Sequence, residues 1–545
     1  MFCLLKIINI RMYHILKRIV KIMVKTERKL KFLNYFSYGI TDFIGAGAFA
    51  LTSAWLLYFY TTFCGLTLIE ASSIFALARI VDAVASPTMG FITDNFHKTR
   101  LGRRFGRRKF FLLISIPLVI CYSFIWLSGF SYLYYLTTYI MFEVVYTMIL
   151  IPYDTLAAEM TSNFKIRAKL TSARMYCAQF SAFLAAFLPG RLINALGKES
   201  ANSFLYAGII FTCIFIVVLF MVYNFTWERS LKEIEMLEAE SDTDKTKLNF
   251  WQNVEKIYID LITTLRIQTF RAHLGVYIGG YLAQDTFNAV FTYFIVFALF
   301  KDAVLASNLL ALMYIFQLAG VAIATYVTVR VNPGLAFRIV SFLFMISIFG
   351  YLAVYGFGGS EISLYVVSAI AGLGRGGINF IPWNNYTFVP DVDEIVSGDR
   401  REGVFAGFMS FLRKASQALA IFVVGVILQE NHFVSGVKVQ SPESLTAIVI
   451  VLVTVPLVFL MIGIFSSYKF KITNATHAIL KNEIARVKNG GLKSDVDTET
   501  RQVIEAMTGW KYENLWGNNS VGYRNWVRYN AKKKQDKNEI ITKII

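Results

Sequence analysis

The sequence predicts an all-α polytopic membrane protein, and three observations support this fold class. Hydrophobic residues make up 56% of the 545 residues and charged residues only 17%, whereas soluble proteins contain about 45–50% apolar and about 25% charged residues. The mean hydropathy is +0.52. Apolar stretches of roughly 20 residues, the length that spans a bilayer as a helix, recur between polar turns. This composition excludes a soluble enzyme, a disordered regulator and a disulfide scaffold.

Twelve of these stretches are predicted to form membrane-spanning helices. Each is mostly apolar and is bounded by polar or turn-forming residues. They cover residues 36–62, 68–92, 109–129, 132–158, 170–196, 203–226, 270–300, 304–328, 336–357, 362–387, 403–428 and 443–467. Because the number is even, both termini are expected on the same side of the membrane.

The distribution of positive charge predicts which side that is. Basic residues occur in the loops after the second, fourth, sixth, eighth and tenth helices and are missing after the first, third and ninth. Cytoplasmic loops carry such an excess. We therefore expect a multi-pass protein of the cell membrane, either a bacterial inner membrane or a plasma membrane, with both termini cytoplasmic. The same bias, rather than nucleic-acid binding, explains the net charge of +18.

The longest interior loop is predicted to divide the chain into two six-helix halves. The expected parts are a basic cytoplasmic N-terminal segment (1–35), an N-terminal bundle (36–226), a cytoplasmic linker (227–269), a C-terminal bundle (270–467) and a cytoplasmic tail (468–545). Within the linker, residues 250–265 are amphipathic and are predicted to lie on the membrane surface. Two six-helix halves joined by a central cytoplasmic loop are typical of the major facilitator fold.

The sequence contains none of the motifs that mark common enzymes or metal sites. It has no GxSxG, HExxH or Walker-type loop, and its five cysteines show no CxxC or metal-ligand spacing. The glycine-rich run 372–377 lies at membrane depth, where it favours helix flexibility or close helix packing. We therefore expect no enzymatic activity, no cofactor and no bound metal, and the only ion involved would be a transported H⁺ or Na⁺.

Ionisable side chains within the predicted helices are the candidate functional residues. Such groups cost kilocalories at membrane depth unless they pair or face water, so each one is a functional hypothesis. The helices contain Asp42, Arg79, Asp82, Glu143, Asp154, Arg174, Asp285, Arg375 and Lys414. Tyr146 shares a helix face with Glu143 and Asp154 and joins this group.

Some of these charges also have structural interpretations. Arg79 and Asp82 are three residues apart on one helix face and could neutralise each other. Arg375 could bond a backbone carbonyl beside the glycine-rich run. Lys414 is the hardest to explain structurally, because it lies in mid-helix without a local acid. A buried ammonium needs a carboxylate or a polar substrate.

Two acids lie near predicted helix ends, where structural roles are common. Asp154 could pair with a loop arginine such as Arg167. Asp42 could act as a gate or as a partner of the helix dipole.

Four motifs resemble the signature sequences of one transporter family. Three of them are residues 38–43 (YGITDF), 78–90 (ARIVDAVASPTMG) and 152–160 (PYDTLAAEM). The fourth combines 391–394 (DVDE) and 398–403 (GDRREG) with Lys414. Together they are similar to motifs of the glycoside–pentoside–hexuronide:cation symporters, the melibiose-permease branch of the major facilitator superfamily. The resemblance spans roughly residues 36–470.

The resemblance implies roles for the intramembrane polar residues. Asp82 would be a cation ligand, and Tyr146, Arg174 and Lys414 would lie at or near the central cavity. The candidate cation-coupling residues are Asp82, Ser86 and Asp42. The candidate substrate-binding residues are Tyr146, Arg174, Lys414, Arg375, Asp285 and Glu143.

Three positions depart from the family pattern. Ser86 stands where the family has a second acid in its second helix, which favours H⁺, because a Na⁺ site needs several hard oxygen ligands. Ala46 and Leu150 stand where melibiose permease has acidic sugar-binding residues, which argues against galactoside specificity. The remaining acid, Asp82, is predicted to face Lys414 across the cavity. Competition for this carboxylate among proton, lysine and substrate would couple ion binding to solute binding.

The loop between the second and third helices resembles the gating loop of the superfamily. Its basic residues are expected to pair with acids at cytoplasmic helix ends when the protein is open to the outside, with a purely topogenic role as an equal alternative. The candidate gating residues are Asp94, Arg103, Arg104, Arg107, Arg108, Asp154, Asp391 and Asp393.

The predicted function is secondary active transport: symport of a small polar solute, a sugar or glycoside, with H⁺ or Na⁺ by alternating access. One alternative keeps the fold but changes the cargo to a lysophospholipid or another amphipathic solute, whose phosphate or carboxylate Lys414 would hold. Another is a transporter-derived receptor or scaffold that signals through the tail. The expected partners are the solute, the coupling cation and the lipid bilayer, and the protein is expected to be monomeric.

Overall fold

The architecture was analysed in a computed structural model that describes residues 29–161, 164–197, 200–229, 250–399 and 401–531. Over these residues all regular secondary structure is helical. The predicted all-α class is thereby confirmed. The basic residues 1–28, the linker residues 230–249 and the basic end of the tail lie outside the described residues.

Each of the twelve predicted segments contains a helix, named here α1 to α12. Their bounds are α1 Phe32–Thr62, α2 Leu68–Asn95, α3 Lys109–Phe124, α4 Tyr132–Met160, α5 Phe164–Leu196, α6 Asn202–Phe225, α7 Gln268–Tyr293, α8 Ala303–Arg330, α9 Pro333–Phe357, α10 Glu361–Tyr386, α11 Glu402–Glu430 and α12 Pro442–Lys469. Among the described residues, nine are long and apolar enough to cross a membrane, the exceptions being α2, α3 and α7. Membrane crossing by those three helices stays a prediction.

α3 is shorter than the sequence predicts and ends at Phe124 instead of residue 129. Its first part ends at Leu118, and a single further turn covers Cys121–Phe124. Pro117 lies directly before this interruption. Proline removes the hydrogen bond to the residue four before it and crowds the preceding turn. The bond from Val119 to Ser115 is intact at 2.9 Å, so Pro117 does not by itself explain an interruption that follows it.

Local sequence explains where other helices begin and end. Thr67 and Glu70 form a capping box at the start of α2, in which each side chain accepts a hydrogen bond from the other's backbone. Asn332 caps the start of α9, and Pro333 occupies its first turn. Gly358 ends α9 with φ of 70°, a left-handed conformation that glycine adopts without strain.

The two predicted halves are in close contact at one end of the bundle, named here the outer end, which carries the loops 63–67, 299–302 and 431–441. Gly190 of α5 donates from its backbone N–H to Ser307 of α8 at 3.1 Å. The hydroxyls of Thr61 in α1 and Tyr293 in α7 are 2.7 Å apart. Leu68 of α2 donates to the Gln429 side chain of α11 at 3.1 Å. The helices of the two halves are therefore packed together at the outer end.

The opposite end, named here the inner end, carries the loop 96–108 and the tail that begins at Phe470. The described part of the tail contains α13 (Asn474–Lys488) and α14 (Thr498–Thr508), and residues 523–531 are also helical. Apolar tail residues form a separate hydrophobic core with the start of α7, the short helix Val389–Ser397 and the start of α11. The tail is thus folded against the bundle rather than extended.

The amphipathic segment of the linker is helical over Phe250–Thr264, as predicted. Its Asp260 carboxylate accepts hydrogen bonds from Arg401 at 3.0 Å and from the backbone of Tyr523 at 2.8 Å. The hydroxyl of Thr263 accepts one from Gly522 at 2.9 Å. The linker helix therefore packs against the tail and against Arg401, the residue directly before α11. Its location on the membrane surface stays a prediction.

Candidate functional site

Asp82 lies near the middle of α2 and is almost completely buried, with 4% of its surface exposed. Its two carboxylate oxygens accept hydrogen bonds from Lys414 Nζ on α11 at 2.8 and 3.0 Å. Thr147 on α4 donates to it at 2.6 Å, and Ser86 donates at 3.0 Å. The structure therefore places Lys414 beside Asp82, as the sequence predicts, and this ion pair connects α2 to α11.

Arg79 takes a different partner from the one the sequence suggests. Its guanidinium pairs with both oxygens of Glu143 on α4, at 2.5 and 3.1 Å. The distance to Asp82 is 3.8 Å. The contact of Arg79 with Asp82 is therefore weaker than its contact with Glu143. Glu143, a candidate substrate-binding residue, is thus paired with Arg79 in this structure. Bidentate geometry makes this the stronger pair.

Arg174 on α5 connects two of the predicted acids. Its Nε lies 3.2 Å from Asp42 on α1, and one terminal nitrogen lies 2.7 Å from Asp154 on α4. The guanidinium also stacks on the ring of Tyr153. Asp154 thus pairs with Arg174, whereas the expected partner Arg167 has its side chain outside the described residues. Asp42 is part of an ion-pair network in addition to lying near a helix end.

The backbone of α1 is shaped to admit this network. Residues Phe43–Ala48 form a π-helical turn directly after Asp42, and such turns are frequent at functional sites. A Cβ on Gly45 would lie 2.5 Å from an Asp42 carboxylate oxygen, so a larger residue here would displace the Asp42 side chain. Tyr146 on α4 donates its hydroxyl to the Gly45 carbonyl at 2.7 Å. Tyr146 therefore binds α1, with its ring 5.9 Å from Lys414 Nζ.

Asp285 on α7 pairs with Arg413 on α11, which the sequence analysis missed. One terminal nitrogen of Arg413 donates to an Asp285 oxygen at 2.9 Å, and the other donates to the second oxygen. The guanidinium lies over the rings of Phe49 and Tyr281. Arg413 stands next to Lys414 in an apolar helix, so the rule that selected Lys414 would also have found it.

Arg375 on α10 is buried with 2% of its surface exposed and reaches side chains of α7 and α8. It contacts Gln284 at 3.4 Å and the sulfur of Met313 at 3.1 Å. The expected bond to a backbone carbonyl near the glycine-rich run is not among its contacts in the described residues. Gln284 and Gln317 both hydrogen-bond Asn379, at 3.1 and 3.3 Å. These three residues were not selected in the sequence analysis, because the search there was for ionisable side chains and amides carry no charge.

The glycine-rich run of α10 serves close helix packing. A Cβ on Gly376 would lie 2.1 Å from the Gln317 carbonyl of α8, and one on Gly374 would lie 2.6 Å from the Phe344 backbone of α9. Small residues let helix backbones approach closely. Of the two roles predicted for this run, the contacts favour packing.

Two of the candidate gating residues in the loop between α2 and α3 form ion pairs at the inner end. Arg107 and Arg108 pair with Glu159 at the end of α4, at 2.6 and 3.0 Å. Their backbone N–H groups donate to Glu228 at 2.7 and 2.8 Å, where α6 ends. Arg104 lies over the Phe105 ring. Arg103 is exposed, and the side chain of Asp94 lies outside the described residues.

The two candidate gating acids of the second half contact the α11 entry and the tail. Asp393 accepts two hydrogen bonds from Arg401, at 2.5 and 3.0 Å. Asp391 lies 2.7 Å from the His477 ring nitrogen of α13. Burial alone would lower the pKa of Arg401, but hydrogen bonding to Asp393 raises it overall. In this conformation Asp393 therefore connects the short helix Val389–Ser397 to the start of α11, and Asp391 connects the same helix to the tail.

Several side chains of the ion pairs described above are partly exposed. The side chains of Lys414, Arg174 and Asp154 are 23%, 25% and 49% exposed, whereas Asp82 and Asp42 behind them are buried. Trp383 on α10 is 41% exposed. Its indole donates to the Tyr281 hydroxyl at 3.1 Å. Tyr281 also lies under the guanidinium of Arg413, the neighbour of Lys414 in α11, so Trp383 is connected to the ion pairs through Tyr281.

Comparison with known proteins identifies the family to which the chain belongs. Residues 37–474 match the model of a family described as MFS/sugar transport protein. The chain is 28% identical over 437 residues to the isoprimeverose transporter of Lactiplantibacillus pentosus, covering 78% of this chain and 85% of that protein. It is 25% identical over 462 residues to the glucuronide carrier protein homolog of Escherichia coli strain K12, covering 82% and 94%.

Similarity to solved structures concerns the fold alone. A bacterial homolog of the human lysosomal transporter Spinster, in an inward-facing and unoccupied conformation, superposes with a TM-score of 0.54 at 14% identity. The alignment covers 80% of this chain and 94% of that one. This likeness supports the transporter fold predicted from the helix pattern.

Proposed function

We propose that this chain, which belongs to the MFS/sugar transport protein family, is a cation-coupled symporter of a small polar solute, a sugar or a glycoside. Family membership makes it a membrane transporter rather than an enzyme. The observation that carries the coupling proposal is the Asp82–Lys414 ion pair, which joins α2 and α11 at mid-membrane.

The ion pair supplies a simple coupling mechanism. In the cation-free state the Lys414 ammonium neutralises Asp82. A cation that binds Asp82 replaces this contact. In a water-poor site a single carboxylate cannot neutralise both the bound cation and the Lys414 ammonium. The released ammonium would leave an unpaired charge unless a solute hydroxyl or carboxylate accepts it. Cation and solute therefore stabilise each other, which is the thermodynamic requirement for symport.

We propose H⁺ as the coupling ion. Asp82 is the only carboxylate in direct contact with Lys414 in the described residues. The other neighbours of Asp82 are the hydroxyls of Ser86 and Thr147 and, at 3.8 Å, the guanidinium of Arg79. One carboxylate and two hydroxyls supply fewer hard oxygen ligands than a Na⁺ site usually needs. A proton needs no such ligand shell, since it binds a single oxygen.

A sugar fits the remaining surface of the site. Trp383 presents an exposed indole that is fixed by its hydrogen bond to Tyr281, and aromatic faces pack against the apolar faces of sugar rings. Arg174 and Lys414 offer charged donors to hydroxyl groups. The names of the two relatives, an isoprimeverose transporter and a glucuronide carrier homolog, favour this class of solute.

The proposal is tested by solute-dependent ion movement in proteoliposomes. Purified protein is screened with pentosides, hexosides, uronides, organic acids and lysophospholipids while internal pH and Na⁺ are recorded. We expect proton entry with a glycoside and its loss in Asp82→Asn. The matched control is Asp495→Asn, since Asp495 is an exposed tail residue that accepts a hydrogen bond from the neighbouring Ser494.

Three results would reject the proposal in different ways. Solute flux without ion movement, unchanged in Asp82→Asn, would identify a uniporter. Flux of lysophospholipid but of no glycoside would identify a lysophospholipid transporter instead of a sugar transporter. Solute binding without net flux would favour the receptor alternative.

A further inference from the structure

A basic cavity lies at the inner end, outside the central site. It has a volume of about 380 Å³ and lies between the ends of α9 and α12 and the first part of the tail. The charged residues that line it are Arg338 on α9 and Lys471 of the tail, both positive. Its other polar lining residues are Asn332, Ser467, Tyr468, Thr473 and Thr476, and the hydroxyls of Ser467, Thr473 and Thr476 form local hydrogen bonds. The cavity therefore has the chemistry of a phosphate-binding site.

Both cations are available to a ligand. In the part of the chain that the structure describes, neither Arg338 nor Lys471 forms an ion pair or a side-chain hydrogen bond. The guanidinium of Arg338 lies 4.1 Å from the ring centre of Tyr468. Stacking occupies the flat face of a guanidinium and leaves its N–H edge directed outward, and this edge matches phosphate geometry.

An apolar groove continues from the same arginine toward the middle of the membrane. It has a volume of about 350 Å³ and is lined by Arg338, Ile339, Phe342, Leu343 and Ile346 of α9. Ile339, Phe342 and Ile346 are 37%, 62% and 47% exposed. Ile346 lies eight residues beyond Arg338, which is roughly 12 Å along a helix at 1.5 Å per residue. The groove can therefore hold part of an acyl chain whose headgroup occupies the cavity.

We infer that these two adjoining spaces form a site for an anionic phospholipid. The phosphate binds Arg338 and Lys471, and one acyl chain lies along the exposed face of α9. The depth of the site supports this ligand, because α9 begins at Pro333 and α12 ends at Lys469, which puts Arg338 within two turns of a helix end. Basic pockets at this level of a membrane protein select anionic headgroups. The bound lipid also contacts the tail, so it would strengthen tail docking.

The test uses the purified full-length protein in detergent and phosphatidylglycerol as the probe, with binding measured by native mass spectrometry. We expect phosphatidylglycerol to bind more tightly than phosphatidylcholine with the same acyl chains. Arg338→Gln and Lys471→Gln should each weaken binding by about tenfold, the effect of losing a charge-assisted hydrogen bond. If Arg338→Gln does not fold, Lys471→Gln decides alone, because Lys471 is exposed.

Two controls separate this site from general charge and from free phosphate. Arg330→Gln removes an exposed arginine that lies over Tyr326 at the same end of the bundle but does not line the cavity, and it should bind phosphatidylglycerol like the unchanged protein. Glycerol phosphate, which has the headgroup chemistry without acyl chains, should bind at least tenfold more weakly than the lipid.

Four outcomes would overturn the inference. They are equal binding of the two phospholipids, less than a twofold effect of both cavity substitutions, an equal loss of binding in Arg330→Gln, and binding of glycerol phosphate as tight as that of the lipid.

Discussion

Asp82 and Lys414 are complementary charges in a place where either one alone is costly. Removing one partner of a buried ion pair leaves an uncompensated charge, at a cost of about 3–5 kcal/mol, whereas removing both can be nearly neutral. The two side chains come from α2 and α11, so the pair also contributes to contact between the two predicted halves.

We therefore predict a non-additive pair of substitutions. Lys414→Gln should lower the thermal stability of the purified protein and abolish solute-driven proton entry, because Asp82 loses its counter-charge. Asp82→Asn combined with Lys414→Gln should recover most of the stability but not the coupling. Thermal unfolding of the three variants in detergent measures the interaction energy. Additive losses in the double variant would contradict an ion pair.

A second prediction compares a buried acid with a half-exposed one. Glu143 is 3% exposed and holds Arg79 with both oxygens, whereas Asp154 is 49% exposed and gives Arg174 one contact. Glu143→Gln should therefore destabilise the protein by about 3–5 kcal/mol, and Asp154→Asn by about 0–1 kcal/mol. Unfolding curves in a common detergent decide this, and equal losses would refute the difference in burial.

At the scale of residues, the sequence identified functional candidates where a charged side chain lies within an apolar helix, because such charges are rare. It selected Asp82 and Lys414 and predicted that they meet. It did not identify the partner of Arg79, because spacing within one helix suggested Asp82 whereas packing against α4 brings Glu143 closer. The neutral network around Asn379 could not be found from charge at all. Amide side chains at membrane depth carry a weaker signal.

At the scale of elements, apolar length and turn residues were sufficient to place a helix in every predicted segment. They were not sufficient for local deviations from α-helical geometry. The π-helical turn after Asp42 and the break after Pro117 depend on packing against neighbouring helices as well as on local sequence. The glycine-rich run of α10 could be read from the sequence as flexible or as closely packed, and the distances to α8 and α9 favour packing.

This packing gives a prediction for α10. A methyl group at Gly376 would meet the Gln317 carbonyl at 2.1 Å, so Gly376→Ala should destabilise the protein by about 1–3 kcal/mol by forcing α8 and α10 apart. The matched control is Gly407→Ala in α11, where an added Cβ meets nothing within 4 Å. That change should be neutral or stabilising by about 0.5–1 kcal/mol. Similar stabilities for both variants would contradict close packing at Gly376.

At the scale of the whole molecule, the contacts described between the two predicted halves lie at the outer end and at mid-membrane. Besides the bonds of Gly190, Thr61 and Leu68, Arg191 of α5 donates to Asn308 of α8. Alternating access requires the halves to separate at one end while they meet at the other. The conformation described here is therefore closed at the outer end.

We predict that locking the outer end stops transport. Arg191→Cys and Asn308→Cys, combined in a background without the native cysteines, should be cross-linked by a short bifunctional thiol reagent, and uptake into proteoliposomes should fall to background. Cleaving a reducible cross-linker should restore uptake. Each single cysteine variant treated with the same reagent serves as the control. Full uptake by the cross-linked protein would show that α5 and α8 need not separate at this end.

The hydrophobic core shared by the tail and the bundle has a consequence for how the protein is made. Apolar residues at the start of α7 and of α11 are covered by residues between Phe470 and Val521. During synthesis these helices are inserted before the tail has been translated, so their inner ends expose apolar surface until the last part of the chain emerges from the ribosome. We therefore expect the tail to dock after the helices have been inserted, and a chain truncated before residue 521 to keep part of this apolar surface exposed.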